Sequence, residues 1–300
     1  MSESSDKTIP LFDSQFLYQL ERLAILSRQS VAGQLQGERR SPKHGQSVEF
    51  SDFRPYALGD DFRRIDWNAY ARLEKFFIKL FVEEEDITVH LLIDSSASMD
   101  WGNPNKLEYA IKSAAALGYI SLVGLDRTTA TAIGQENSKL RHLPPQRGKI
   151  QAHKFFSFLQ NIIPVARTDL VRELKSYRAS SKYPGPLILF TDLYDPSWRE
   201  ALSALVDNKF DISLLHILSP DELDPEFRGD LKLLDSETNV EVEITADYDL
   251  IQNYKTNLTE WKIEIQKFCS QRQINYIPLV SSLPLQELLF SLLRRQSLLK

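Results

Sequence analysis

The sequence predicts an α/β fold, a doubly wound and mainly parallel sheet with helices on both faces. Three observations point to it. From residue 87 onward, short apolar runs alternate with longer helical ones, the signature of parallel strands joined by crossover helices. Two of the short runs, HLLID and LILFTD, end in aspartate, at Asp94 and Asp192. Finally, 300 residues with 42% hydrophobic and 26% charged composition can bury a large core without disulfide staples, which excludes disordered, collagenous and miniature disulfide-rich chains.

Taken in order, Phe12 to Ser27 carries apolar residues at near-helical spacing and predicts a helix. The polar stretch after it, with Arg39, Arg40, Lys43 and His44, reads as a basic solvated loop. Residues 48–72 interleave Arg54, Arg63, Arg64 and Arg72 with Asp60, Asp61, Asp66 and six aromatic residues, and fit neither helical nor strand periodicity. Guanidinium and carboxylate groups in alternation can brace an irregular segment through bidentate pairs. The same composition, with Trp67 among the arginines, also fits a partner-docking surface. KFFIKLFVEEED then predicts a strand ending in a solvated acidic cluster.

The texture changes after Asp86. This places a boundary between an N-terminal extension, 1–86, and a larger domain, 87–300. Within the latter, residues 87–94, 128–134, 186–192, 210–218 and 274–280 predict strands, and 105–124, 149–163, 168–180 and 196–208 predict helices. A small hairpin is expected within an insertion at 220–247, then a long helix to about Cys269 and a closing helix from Leu283. In such sheets ligands bind outside the carboxyl ends of the strands.

Asp94, Ser96 and Ser98 stand at alternate positions as the first aspartate-ending strand gives out, so their oxygens can point the same way. Thr168 stands before a helix, and Asp192 closes the second such strand. Together these five residues offer only oxygen ligands, several of them neutral, a set suited to Mg²⁺, Mn²⁺ or Ca²⁺ rather than zinc. An ion held by so few formal charges stays electron-poor and gains from a carboxylate brought by another molecule. Each fragment also has a plainer reading: turn or capping chemistry for Ser96 and Ser98, an N-cap for Thr168, a turn acid for Asp192.

The fragment DSSAS, with Thr168 and Asp192, resembles the metal-ion-dependent adhesion site of von Willebrand factor A-type domains. EFSDFRPYALGDDFRRIDWNAYAR followed by LLIDSSASM is similar to the bacterial family catalogued as domain of unknown function fifty-eight, and the resemblance runs from about Leu11 to the end. It implies a von Willebrand A-like core with Asp94, Ser96 and Ser98 as first-loop ligands, Thr168 as second-loop ligand and Asp192 as third, around Mg²⁺ or Mn²⁺. It also implies a non-catalytic adaptor or chaperone-like role beside a MoxR-type AAA+ ATPase or its client, bound through a carboxylate. The second loop departs from the family pattern: Ala166-Arg167 stands where Gly-Gly is usual, and Arg167 can crowd the site or reach an incoming carboxylate.

Two other readings compete with the adhesion-type module. Aspartyl-phosphate phosphatases also begin with a strand-end aspartate and Mg²⁺, but place a second acid two residues later, where this chain has Ser96. A structural scaffold with a vestigial metal site is the other. No Gly-rich phosphate loop and no His-Glu-x-x-His are present, so nucleotidase and zinc-protease readings lack support. A formal charge of −5 argues against nucleic acid as the main partner. The start MSESSDKTIP lacks a basic-then-apolar leader pattern, no run approaches a membrane span, and Cys269, the lone cysteine, has no disulfide partner; a cytoplasmic location is the expectation.

Overall fold

The structure, a computed structural model, describes residues 11–26, 48–57, 62, 65–83, 88–134, 141–165, 168–206, 209–225, 229–234 and 241–300. Contacts divide the chain into two units: Ala32–Asp86, and Met1–Val31 together with Ile87–Lys300.

In the smaller unit, β1 (Val48–Pro55) pairs antiparallel with β2 (Phe77–Glu83). The register shifts between Phe50 and Asp52. Such an irregularity breaks the two-residue alternation by which strands are read, which is why β1 escaped detection in the 48–72 segment. Helix α1 (Ser14–Leu20) belongs to the other unit, and α2 (Trp67–Leu73) lies between β1 and β2 in sequence. Asp66 caps α2, accepting from Asn68 N at 2.9 Å and Ala69 N at 3.1 Å.

The larger unit is built on six strands: β3 (Thr88–Asp94), β4 (Arg127–Ile133), β5 (Arg141–Arg147), β6 (Gly185–Thr191), β7 (Phe210–Leu218) and β10 (Asn275–Val280). Their order across the sheet is β10-β7-β6-β3-β4-β5, and every neighbouring pair is parallel except β4 with β5. The order of connection reverses between β3 and β6, which makes that junction the topological switch point, the place where such sheets bind ligands. The sequence reading did not find β5, whose RHLPPQR carries two prolines; proline lacks a backbone donor and is tolerated on an edge strand such as this one. The remaining strands, β8 (Gly229–Leu234) and β9 (Glu241–Ala246), form the expected hairpin.

Two apolar layers cover the sheet. Val89, Leu91 and Ile93 of β3 face a cluster that includes α1, α3 (Lys106–Val123), α4 (Ala152–Gln160) and the C-terminal helical turns from Leu285 to Arg295. Leu92 faces the opposite cluster, with α5 (Leu170–Ser180), α6 (Trp198–Leu205) and α8 (Tyr248–Gln271). Strand residues thus alternate between two buried layers, which explains why these strands read as continuous apolar runs. A short helix, α7 (Pro220–Leu223), follows β7.

Helix α1 is shorter than the predicted Phe12–Ser27 because the chain turns after Leu20 and Ile25 bridges to Leu299. Leu20 and Leu23 are buried in the core, so this part of the predicted extension is packed into the larger unit. Among the described residues, no helix is long and apolar enough to cross a membrane.

Candidate cation site at the switch point

The carboxyl ends of the neighbouring strands β3 and β6 bring Asp94 and Asp192 close enough for their charges to interact. Asp94 is the last residue of β3 and is buried. Its carboxylate accepts from Ser96 N at 3.0 Å through Oδ1 and from Thr191 Oγ1 at 2.7 Å through Oδ2, so β6 helps to orient it. Burial, reinforced by the negative charge of Asp192, holds its carboxyl well above the usual carboxylate range. Two buried carboxylates set at neighbouring strand ends form a site that favours a positive charge.

The hydroxyls follow from the local backbone. Ser95 turns aside and donates to Ile133 O at 2.6 Å. Ser96 and Ser98, two positions apart, lie with their Oγ atoms 3.0 Å from each other. Ser96 opens the 3₁₀ turn Ala97–Met99, yet its side chain makes no capping bond. Capping therefore does not account for the pair.

The second loop is joined to the first by Val165 N, which donates to Ser95 O at 2.8 Å. The N-cap of α5 is Asp169, which accepts from Arg172 N at 2.9 Å, and not Thr168. Thr168 Oγ1 is left buried with no hydrogen-bond partner among the described residues. A Cβ on Gly134 would stand 2.9 Å from that oxygen, and the residue's φ of +101° also favours glycine. A buried hydroxyl without a partner costs free energy unless something else satisfies it, and a hard cation is one such group.

Asp192 is buried and more heavily engaged. Oδ1 accepts from Tyr194 N at 3.3 Å, and Oδ2 accepts from Lys106 Nζ at 2.8 Å. His216 Nε2 lies 3.0 Å from the Asp192 carbonyl oxygen. Lys106 is fully buried and also reaches Glu222 Oε1 at 2.5 Å. Neither Lys106 nor Glu222 was singled out from sequence. One signal was present: Lys106 is the first residue of α3, where the helix dipole disfavours a cation, so a lysine there calls for nearby acids.

The oxygen set fits a hard divalent ion, with Asp94, Ser96, Ser98 and Thr168 available and Asp192 partly committed to Lys106. No three His, Cys, Asp or Glu side chains converge among the described residues, so the donor set is not a zinc-type or all-carboxylate one. Of the residues flagged as a docking surface, Arg54, Trp67 and Arg72 lie in the smaller unit. All three are exposed, and Trp67 packs edge-on against Tyr70 and Phe76. Arg63, Arg64 and Arg167 lie outside the described residues. Cys269 is buried, and burial pushes its thiol up to about 12, as suits an inert core residue.

A doubly wound, mainly parallel sheet with one antiparallel edge and helices on both faces defines a von Willebrand A-like α/β fold. The chain belongs to the family described as Protein of unknown function DUF58, whose model matches residues 52–263. It is 25% identical over 242 residues to Uncharacterized protein Rv1480 of Mycobacterium tuberculosis, covering 78% of this chain and 75% of that protein. The same figures hold for Uncharacterized protein Mb1516 of Mycobacterium bovis. Among solved structures, BatB from Bacteroides thetaiotaomicron aligns with a TM-score of 0.42 and 16% identity, over 70% of this chain and 98% of that one. The von Willebrand factor type A protein from Catenulispora acidiphila aligns with a TM-score of 0.34 and 16% identity, over 59% and 43%.

Proposed function

We propose that this protein is a non-catalytic interaction module whose switch-point cluster takes Mg²⁺ or Mn²⁺ and, through it, a carboxylate of a partner protein. The observation that carries the reading is the Thr168 hydroxyl, buried and unpartnered among the described residues, beside a first loop that carries Asp94 and the paired Ser96 and Ser98 hydroxyls. Asp94, Ser96, Ser98 and Thr168 would hold the ion, with Asp192 beside them. When bound, the ion supplies an electrophile that accepts an incoming carboxylate oxygen. This chain's own residues orient and shield: Thr191 fixes the Asp94 carboxylate, and Gly134 leaves room for Thr168. The phosphatase reading gains nothing here, because the position two residues after Asp94 carries a hydroxyl, set beside that of Ser98, where the chemistry needs a carboxylic acid.

Calorimetric titration of Mn²⁺ into wild type and Asp94→Ala tests the site. Heat in wild type that disappears in the variant is expected, and equal heats in both overturn the reading. A MoxR-type AAA+ ATPase, or its client, as the partner rests on the family resemblance. The expected outcome is its retention by this protein in a pull-down from native lysate and its release by a chelator.

A structural scaffold is the second reading, favoured by one observation: Asp192 already holds a fixed cation, Lys106. Persistent absence of Mn²⁺ binding, with full thermal stability in chelator, is the result that selects it.

A further inference from the structure

We propose that Lys106 is the resident counter-cation of this site and sets its affinity for a divalent ion, a role that rests on reading the Asp94 cluster as a cation site. Lys106 has no exposed side-chain surface, and its ammonium bridges Asp192 Oδ2 and Glu222 Oε1 while lying 4.9 Å from the centre of the Tyr194 ring. A lysine at the first position of a helix opposes the dipole, and burial adds a desolvation penalty. Two carboxylates offset both.

Glu222 is built to do this. Ser219 N donates to its Oε2 at 2.6 Å, and Ser219 Oγ accepts from Glu222 N at 3.3 Å, a reciprocal cap that holds the other oxygen, Oε1, toward Lys106. The Glu222 carbonyl accepts from Tyr254 OH at 2.8 Å, so α8 holds the same turn. The clamp therefore enters from outside the Asp-Ser-Ser-Thr-Asp cluster, on an element that the ligand set does not include.

The consequence is competition. Asp192 commits Oδ2 to the ammonium, and an ion approaching the remaining oxygen meets a positive charge fixed beside it. Removing that charge frees Asp192 and strengthens cation binding. Removing the charge of Glu222 leaves Lys106 leaning on Asp192 alone and weakens it.

The experiment titrates Mn²⁺ into wild type, Asp94→Ala, Lys106→Met, Glu222→Gln and the double variant Lys106→Met/Glu222→Gln, with folding followed by circular dichroism. Lys106→Met and the double variant should bind about tenfold more tightly than wild type, and Glu222→Gln weaker by a similar factor, as expected for a unit charge a few ångströms away. If Lys106→Met fails to fold, the double variant carries the test, because it removes the ammonium together with one of its two acids. Binding in wild type that is lost in Asp94→Ala but left unchanged or weakened by both Lys106 variants overturns the role of Lys106 and leaves the cation site standing. Binding by none of the five proteins overturns both.

Discussion

Thr168 and Asp169 show how adjacent side chains divide two tasks. Asp169 accepts the free N–H of Arg172 and so relieves Thr168 of capping, which leaves the threonine hydroxyl buried without a partner among the described residues. Thr168→Val keeps the shape and deletes the hydroxyl. Its thermal stability should stay within about 0.5 kcal/mol of wild type or rise, because no hydrogen bond is lost, while Mn²⁺ binding should fall in calorimetry. A clear loss of stability with unchanged Mn²⁺ binding would show that the hydroxyl serves the fold instead. His90 makes a different kind of prediction. It lies inside β3 with Nδ1 2.7 Å from Tyr177 OH, and burial lowers its pKa from 6.5 to about 4. Between those two values the unfolded chain binds a proton that the folded chain refuses, so stability falls as pH drops from about 6.5 toward 4. His216 is lowered in the same direction, to about 4. Urea midpoints across this window should decline less steeply in His90→Gln than in wild type, the difference amounting to a few kcal/mol at most at about 1.4 kcal/mol per pK unit.

Helix α3 is the central element of one face, and its composition follows from where it sits. Ala110, Ala114, Ala115, Ala116 and Gly118 keep it slim where it lies against the sheet and α4. At Gly118 an added Cβ would stand 2.2 Å from the Phe155 ring. Gly118→Ala should therefore destabilise the protein by about 1–3 kcal/mol despite alanine's better helix propensity, since overpacking outweighs propensity; a raised melting temperature would show that Phe155 can step aside. The same helix begins with Lys106, so one element supplies both the packing of that face and the positive charge at the sheet's carboxyl end. The four-residue α7 is too short to stand on propensity and owes its shape to the Ser219–Glu222 cap. That is why Glu222 escaped detection from sequence: its role depends on a turn that exists only with its partners in place.

For the whole chain, the division into units cuts across the sequence boundary at residue 86. Residues 32–86 form one unit, whereas α1, which precedes them, contributes Leu20 and Leu23 to the core of the larger unit and is followed by the Ile25 bridge to Leu299. Tyr119 on α3 donates to Glu21 at 2.8 Å, a second tie. A chain begun at Ile87 should accordingly melt well below the full-length protein, and Leu20→Ala alone should cost about 2–5 kcal/mol, the range for a leucine removed from a packed core. Equal melting temperatures for the full-length and shortened chains would show that the larger unit stands without α1.

Much of the α/β layout was legible because each strand of the sheet's centre is buried on both faces and each covering helix carries a periodic apolar stripe; HLLID and LILFTD could hardly be anything else. The candidate first loop was legible for a related reason: Asp94, Ser96 and Ser98 are local in sequence, and the period-two spacing at a strand end foretold that the Ser96 and Ser98 hydroxyls would lie together. What stayed hidden depends on partners remote in the chain. The edge strand β5 is a strand because β4 is beside it, β1 is disguised by its irregular pairing, and residues 24–26, within the run that reads as helix, instead pair with 298–300. The Lys106–Asp192–Glu222 bridge joins residues up to 116 positions apart. A buried charge has meaning only through the groups around it, and folding alone decides which groups those are.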